Sequence, residues 1–148
     1  MSRSGYSEDI DQWELIKWRG RVASAARGKR GQSFFLDLVN ALDAMPEKRL
    51  IENSLQCAEG MCALGAVGAY RGINLEKYNP TDDHDDSIIK TERVAIELNV
   101  AWPLAAETVY INDEYAAWTK ETPEQRWARI REWAVRQIGY AFEDDPKS

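Results

Sequence analysis

Ser33–Pro46, SFFLDLVNALDAMP, is the stretch whose reading decides the fold class. Phe34, Phe35, Leu38, Val39, Leu42 and Met45 recur at the three- and four-residue spacing that gathers side chains into one continuous apolar stripe of a helix. Ser33 can cap the start, and Pro46 disfavours helical backbone in the residue before it, so the helix is predicted to end at Met45. This is the clearest core helix of the chain.

Working upstream, Gly28–Gly31 (GKRG) has two glycines in four residues and reads as a turn. Before it, Asp9 to about Ala26 reads as a second helix with Trp13, Ile16, Val22, Ala23 and Ala26 on its apolar side, a capping acid at Asp9 or Asp11, and an interruption or weak point at Gly20. Downstream, Glu47–Gly60 shows no strong period and is predicted to be irregular, with Leu50, Ile51 and Leu55 able to form a short strand or a turn of helix. Met61–Arg71 is predicted to be a tightly packed helix ending in a left-handed cap at Gly72. Its small residues Ala63, Gly65, Ala66, Gly68 and Ala69 would admit a neighbouring helix at close range, against a glycine propensity cost of about 1 kcal/mol each.

The segment NPTDDHDD is an exposed acidic loop leading through Ser87 into a helix with Ile88, Ile89, Val94, Ala95, Ile96 and Leu98, predicted to stop near Asn99. Pro103 then suits the first turn of a further helix that carries Leu104, Ala105, Thr108, Val109 and Ile111 to about Asn112. Thr122, Pro123 and Gln125 combine a capping box with a first-position proline ahead of Trp127, Ile130, Ala134 and Ile138. The expected fold is therefore mainly α: a compact single-domain bundle of about five or six helices over residues 1–148, with room for one short strand pair and frayed termini at about 1–8 and 143–148.

Composition agrees. The 148 residues are 44% hydrophobic and 30% charged with six tryptophans, which is the profile of a globular domain with a self-sufficient core. The longest uncharged apolar stretch, Met61–Tyr70, is far short of the roughly 20 residues a membrane-spanning helix needs. The polar, acidic start MSRSGYSEDIDQWE has the pattern neither of a secretion signal nor of a transit peptide, so cytoplasmic residence is the expectation. Cys57 and Cys62 are the only cysteines and His84 the only histidine, too few ligands for a structural zinc site; two free thiols and no cofactor are expected.

The net charge of −6 conceals an asymmetry. Lys17, Arg19, Arg21, Arg27, Lys29 and Arg30 follow one another with no acid between them, which leaves 13 of the 19 Lys and Arg residues to balance 25 Asp and Glu elsewhere. Cations interleaved with glycine suit a polyanion, whether nucleic acid or an acidic protein; the plain alternative is a solvated helix face and turn. The opposite pole is Asp82, Asp83, Asp85 and Asp86 in TDDHDD. This loop lacks the central glycine and the acid at the twelfth position of a calcium loop, so a solvated, helix-capping loop is expected and no metal.

Three other patterns invite chemistry. Val94–Asn112, VAIELNVAWPLAAETVYIN, has the outline of a helix-turn-helix, but Glu107, Asp113 and Glu114 would repel DNA and no Lys or Arg occurs between Arg93 and Lys120, so two packed helices are the better expectation. Cys62 at a helix start, with His84 and Asn112, could compose a Cys-His-Asn nucleophilic set; a small buried cysteine is the expected reading. Arg126, Arg129, Arg131 and Arg136 against Glu124 and Glu132 give the last helix a mildly basic outer side, and Trp118, Trp127 and Trp133 are candidate partner anchors that core packing explains equally well.

Glu59–Ile73 (EGMCALGAVGAYRGI), Val109–Glu114 (VYINDE) and Thr122–Val135 (TPEQRWARIREWAV), with Gly5–Gly20 and Arg27–Ile51 upstream, resemble a family of uncharacterised proteins common in bacteriophages and prophages. The signature is the Cys62–Ala66 CALGA motif followed by Asn112-Asp113. The resemblance implies a phage accessory product in a bacterial cytoplasm and carries no catalytic residue with it. The functional expectation is a small, non-enzymatic interaction protein that binds a host or phage macromolecule, with inhibition of a nucleic-acid-targeting defence system, as an anti-CRISPR does, among its roles. Acidic Asp82, Asp83, Asp85 and Asp86 could there stand in for phosphates. The alternative is direct nucleic-acid binding through Lys17–Arg30, and a cysteine-dependent enzyme is the remote one.

Overall fold

Phe34, Phe35, Leu38 and Leu42 are fully buried, and burial of each such side chain contributes roughly 1.5–3 kcal/mol. They project from one helix of a computed structural model that describes residues 12–80, 87–114 and 120–143. The elements are α1 (Gln12–Arg27), α2 (Lys29–Ala44), β1 (Gln56–Cys57), β2 (Gly60–Met61), α3 (Ala63–Tyr70), a 3-10 turn (Glu76–Tyr78), α4 (Ser87–Glu97), α5 (Trp102–Asp113) and α6 (Pro123–Glu143). The mainly helical bundle expected from periodicity is present, with β1 and β2 as a two-residue antiparallel pair in which Gln56 faces Met61 and Cys57 faces Gly60.

The ends of the elements follow local chemistry. Met45 leaves α2 in extended backbone ahead of Pro46. Gly72 (φ 77°) and Asn99 (φ 54°) are left-handed residues that close α3 and α4. In both, the next amide reaches back five residues, Ile73 N to Gly68 O at 2.7 Å and Val100 N to Ala95 O at 3.0 Å, the pairing that satisfies terminal carbonyls. At the start of α6 the Thr122 amide donates to Gln125 Oε1 at 2.9 Å and the Gln125 amide to Thr122 Oγ1 at 3.1 Å, the reciprocal capping box its sequence predicts.

Three expectations need correction. The turn at Gly28–Gly31 shrinks to Gly28: Lys29, Arg30 and Gly31 already belong to α2, so Ser33 lies inside the helix and does not cap it. Gly31 serves close approach, because a Cβ there would sit 2.0 Å from the Ala25 carbonyl oxygen. Gly65 likewise serves close approach, but to the backbone before β1, its Cβ position being 1.8 Å from Leu55 O, while α3 as a whole packs on α2, the neighbouring helix its small residues suggested. Finally, α1 runs through Gly20 without a break, and its apolar Trp13 and Ile16 point outward, 64% and 56% exposed. The half of α1 that packs is the later one, ending in Ala26, the one residue of this helix that is buried.

α5 is the central element. It packs on α1, α3, α4 and α6, and none of its residues is exposed. A helix enclosed in this way cannot enter a DNA groove, so α4 and α5 are a packed helix hairpin and not a reading head. Among the described residues no helix is long and apolar enough to cross a membrane.

Candidate functional site

The six clustered cations of the sequence do not share one face. Lys17 and Arg21 lie on the side of α1 that meets the start of α5, lining a shallow groove with Gly20, Ser24, Ala101 and Pro103. The groove has no carboxylate among its described lining residues. Arg21 is held in place by rings: its guanidinium carbon is 5.6 Å from the Trp18 centroid and 5.8 Å from that of Trp102. Those two indoles meet edge to face at 5.1 Å, and cation–π contact of this kind is worth about 0.5–1 kcal/mol at an exposed site. Lys17 lies over Trp13 and 3.8 Å from Glu14, an exposed pair that contributes little. Arg30, in the first turn of α2, is not part of the groove lining and donates to Asn99 Oδ1 at 3.3 Å.

The other three are also elsewhere. Arg19 is on the opposite side of α1, in the wall of a cavity shared with α5 and α6. Arg27 closes α1, and Lys29 is exposed in the first turn of α2. The acidic residues Asp82, Asp83, Asp85 and Asp86, with His84, lie outside the described residues, as does Trp118.

A second constellation is buried. Cys62 caps α3 with extended backbone and is 1% exposed. The amide of Ala63, the first residue of α3, donates to Asn112 Oδ1 at 3.0 Å. Asn112 Nδ2 donates to Ile51 O at 2.9 Å and to Asp113 Oδ1 at 2.8 Å, and Asp113 Oδ1 also receives the Asn53 amide at 3.2 Å. The last-turn carbonyls of α5 are then taken by guanidinium groups: Arg126 Nε donates to Asn112 O at 3.0 Å and Arg129 Nη1 to Ile111 O at 2.7 Å. Arg126 also donates to Leu50 O. Glu121 neutralises both arginines, accepting two bonds from Arg129 and lying 3.5 Å from Arg126. The Arg129 hydrogen bond above all holds the Glu121 carboxyl below its ordinary value, against the opposing effect of its burial.

The two halves of the CALGA…ND signature thus meet in space, but as a joint between elements. Both ends of the Asn112 amide are occupied by backbone and by Asp113, which leaves it no freedom to orient an imidazole, and Cys62 is sealed from solvent. The cysteine-hydrolase arrangement is not assembled among the described residues, nor does any group of three acids, cysteines or histidines there suit a metal ion. The last helix is also less basic outside than its sequence suggests. Arg126 is 6% exposed, Arg129 and Arg131 are paired with Glu121 and Asp43, and Arg136 lies 3.5 Å from Glu132. Trp127 donates Nε1 to Leu42 O and Trp133 packs edge-on against Phe35, so both serve the interior.

Sequence reasoning missed the Trp18–Trp102–Arg21 stack, since nothing local links positions so far apart in the chain. Arg126 was counted as surface for the same reason: its partners come from three segments. Comparison with protein-family models, with curated proteins and with solved structures gives no match to this chain.

Proposed function

We propose that this chain is a small phage-encoded interaction protein that docks on an acidic patch of a host or phage protein through the α1–α5 groove. The observation that carries the reading is the composition of that groove and its rim: Lys17 and Arg21 with no described carboxylate in the lining, next to the outward-facing Trp13 and Ile16. Exposed tryptophan beside arginine is the composition of protein-binding hot spots. Arg21 is pre-ordered between two indoles, which lowers the side-chain entropy lost on binding. Inhibition of a nucleic-acid-targeting defence complex is one role open to such a protein, and it rests on the family resemblance.

Direct nucleic-acid binding is the second reading, favoured by the absence of a carboxylate among the described residues of the groove lining. It is the weaker one, because Arg19 faces away from the groove and an apolar Trp13–Ile16 flank gains nothing from phosphates. Affinity capture from a lysogenic host extract, run with and without nuclease, separates the two. The proposal expects a defined protein partner retained after nuclease treatment by the wild type and lost by Lys17→Glu/Arg21→Glu. Capture abolished by nuclease would transfer the groove to nucleic acid, and a partner retained equally by the double variant would remove the groove from function.

A further inference from the structure

One whole side of α1 faces solvent, and its residues form a seam along the helix. At about 3.6 residues per turn, Trp13, Gly20 and Ser24 fall on the midline of that side. Lys17 and Arg21 run along the flank toward α5, and Ile16 lies on the other flank. All six are exposed. The midline is bulky at one end and bare at the other: Trp13 stands roughly 10 Å along the axis from Gly20, at about 1.5 Å of rise per residue. Gly20 and Ser24, one turn apart, add little side chain to the backbone.

No contact inside the molecule calls for a glycine at Gly20. A Cβ there would meet nothing within 4 Å, in contrast to Gly31 and Gly65, whose missing side chains admit neighbouring backbone. Helical backbone passes through it, so no positive φ calls for it either. Glycine is nevertheless among the costliest residues inside a helix. A bare midline does permit close approach by a second helix, because the side chains at a crossing set the distance between the two axes. The charge pattern then says what that helix carries. Lys17 and Arg21 are one turn apart, and no carboxylate lies among the described residues lining the groove beside them. Acids one turn apart on an opposing helix meet both cations at once.

Resting on the docking reading above, we propose that the partner element entering the α1–α5 groove is an acidic amphipathic α-helix that crosses α1 at Gly20. Its apolar stripe packs over Gly20 and Ser24, and one end closes on Trp13 and Ile16. Its carboxylates, one turn apart, pair with Lys17 and Arg21. The α1 of a second copy does not fit this place, because it would set cations against cations.

The probes are three peptides of about twenty residues with one composition of Glu, Ala and Leu, long enough to form a helix. The first places glutamates at four-residue spacing beside a leucine–alanine stripe. The second is scrambled so that acids and leucines share no face. The third is the first with D-alanine at its central alanines, which breaks a right-handed helix. Each is titrated into the full chain and followed by amide NMR shifts and fluorescence anisotropy. The expected result is saturable binding of the first peptide, with shifts centred on Ile16, Gly20 and Ser24, and at least tenfold weaker binding of the other two. Gly20→Leu fills the midline while improving helix propensity, and should weaken the first peptide at least tenfold. An unchanged amide spectrum outside α1 certifies its fold. Equal affinity for the helical and D-substituted peptides, or Gly20→Leu binding as well as the wild type, would assign the groove to an extended acidic segment and overturn the helix. No saturable binding of the first peptide would overturn it as well. Groove docking itself fails on a different result, a captured partner indifferent to Lys17→Glu/Arg21→Glu.

Discussion

Asn112→Ala puts the buried joint to a quantitative test. The side chain satisfies the Ala63 amide at the head of α3 and the Ile51 carbonyl in the loop before β1, and it bonds Asp113. Ala63 is fully buried, so truncation leaves its N–H without a partner at a cost of about 1–3 kcal/mol, and the half-buried Ile51 carbonyl adds a cost at the lower end of that range. The sum, about 2–4 kcal/mol, is a large share of the 5–15 kcal/mol by which a domain is stable. In urea unfolding followed by circular dichroism, with a slope of about 1–3 kcal/mol per molar, the midpoint should fall by roughly 1–2 M at constant slope. Asn112→Asp sharpens the argument. It keeps the acceptor for Ala63 but turns an oxygen toward Ile51 O and Asp113 Oδ1, both within 3 Å of the present nitrogen. The folded state then favours the protonated acid, so this variant should be the less stable of the two at pH 7 and recover as pH falls through the raised value. A midpoint change near zero for the alanine variant, or no recovery of the aspartate variant on acidification, would refute the joint.

Further predictions follow from other parts of the structure. Glu121 is ionised in the folded state with its carboxyl held below the ordinary value of 4.5, so its contribution is complete above about pH 5 and is lost as pH falls through the lowered value; Glu121→Gln should shallow the acid limb of a stability-against-pH curve and cost most near neutrality. Gly65→Ala must displace Leu55, and thermal unfolding should show a loss of about 1–3 kcal/mol, whereas Gly20→Ala, with nothing within 4 Å, should gain about 0.5–1 kcal/mol. Under native conditions a thiol reagent should modify the half-buried Cys57 and reach Cys62 only on unfolding; rapid labelling of Cys62 in the folded protein would revive a chemical role for it.

What could be read in advance was local. Pro46, Gly72, Asn99 and the Thr122–Gln125 pair announce helix ends because each acts within one turn of itself. Gly31 and Gly65 were misread because a glycine signals freedom or close approach without saying which, and their partners, Ala25 and Leu55, are set by tertiary packing. Trp13 and Ile16 fit a helical period yet face solvent, since a period locates a stripe but not the neighbour that covers it. The candidate site shows the same division. The cationic run is plain in the sequence, but its partition between the groove and the cavity depends on how α1 lies across α5. The meeting of Asn112 with Ala63 and of Arg126 with Leu50 joins positions that no spacing rule connects.

The most direct test of the docking surface is the affinity of the captured partner for the wild type and for Lys17→Glu/Arg21→Glu, titrated with salt, beside Arg136→Glu as a charge-reversed control on α6. Groove docking predicts at least tenfold weaker binding and a reduced salt dependence for the double variant, with the control unchanged. Equal losses in the double variant and the control would reduce the effect to net charge, and no loss in either would contradict the assignment of the α1–α5 groove.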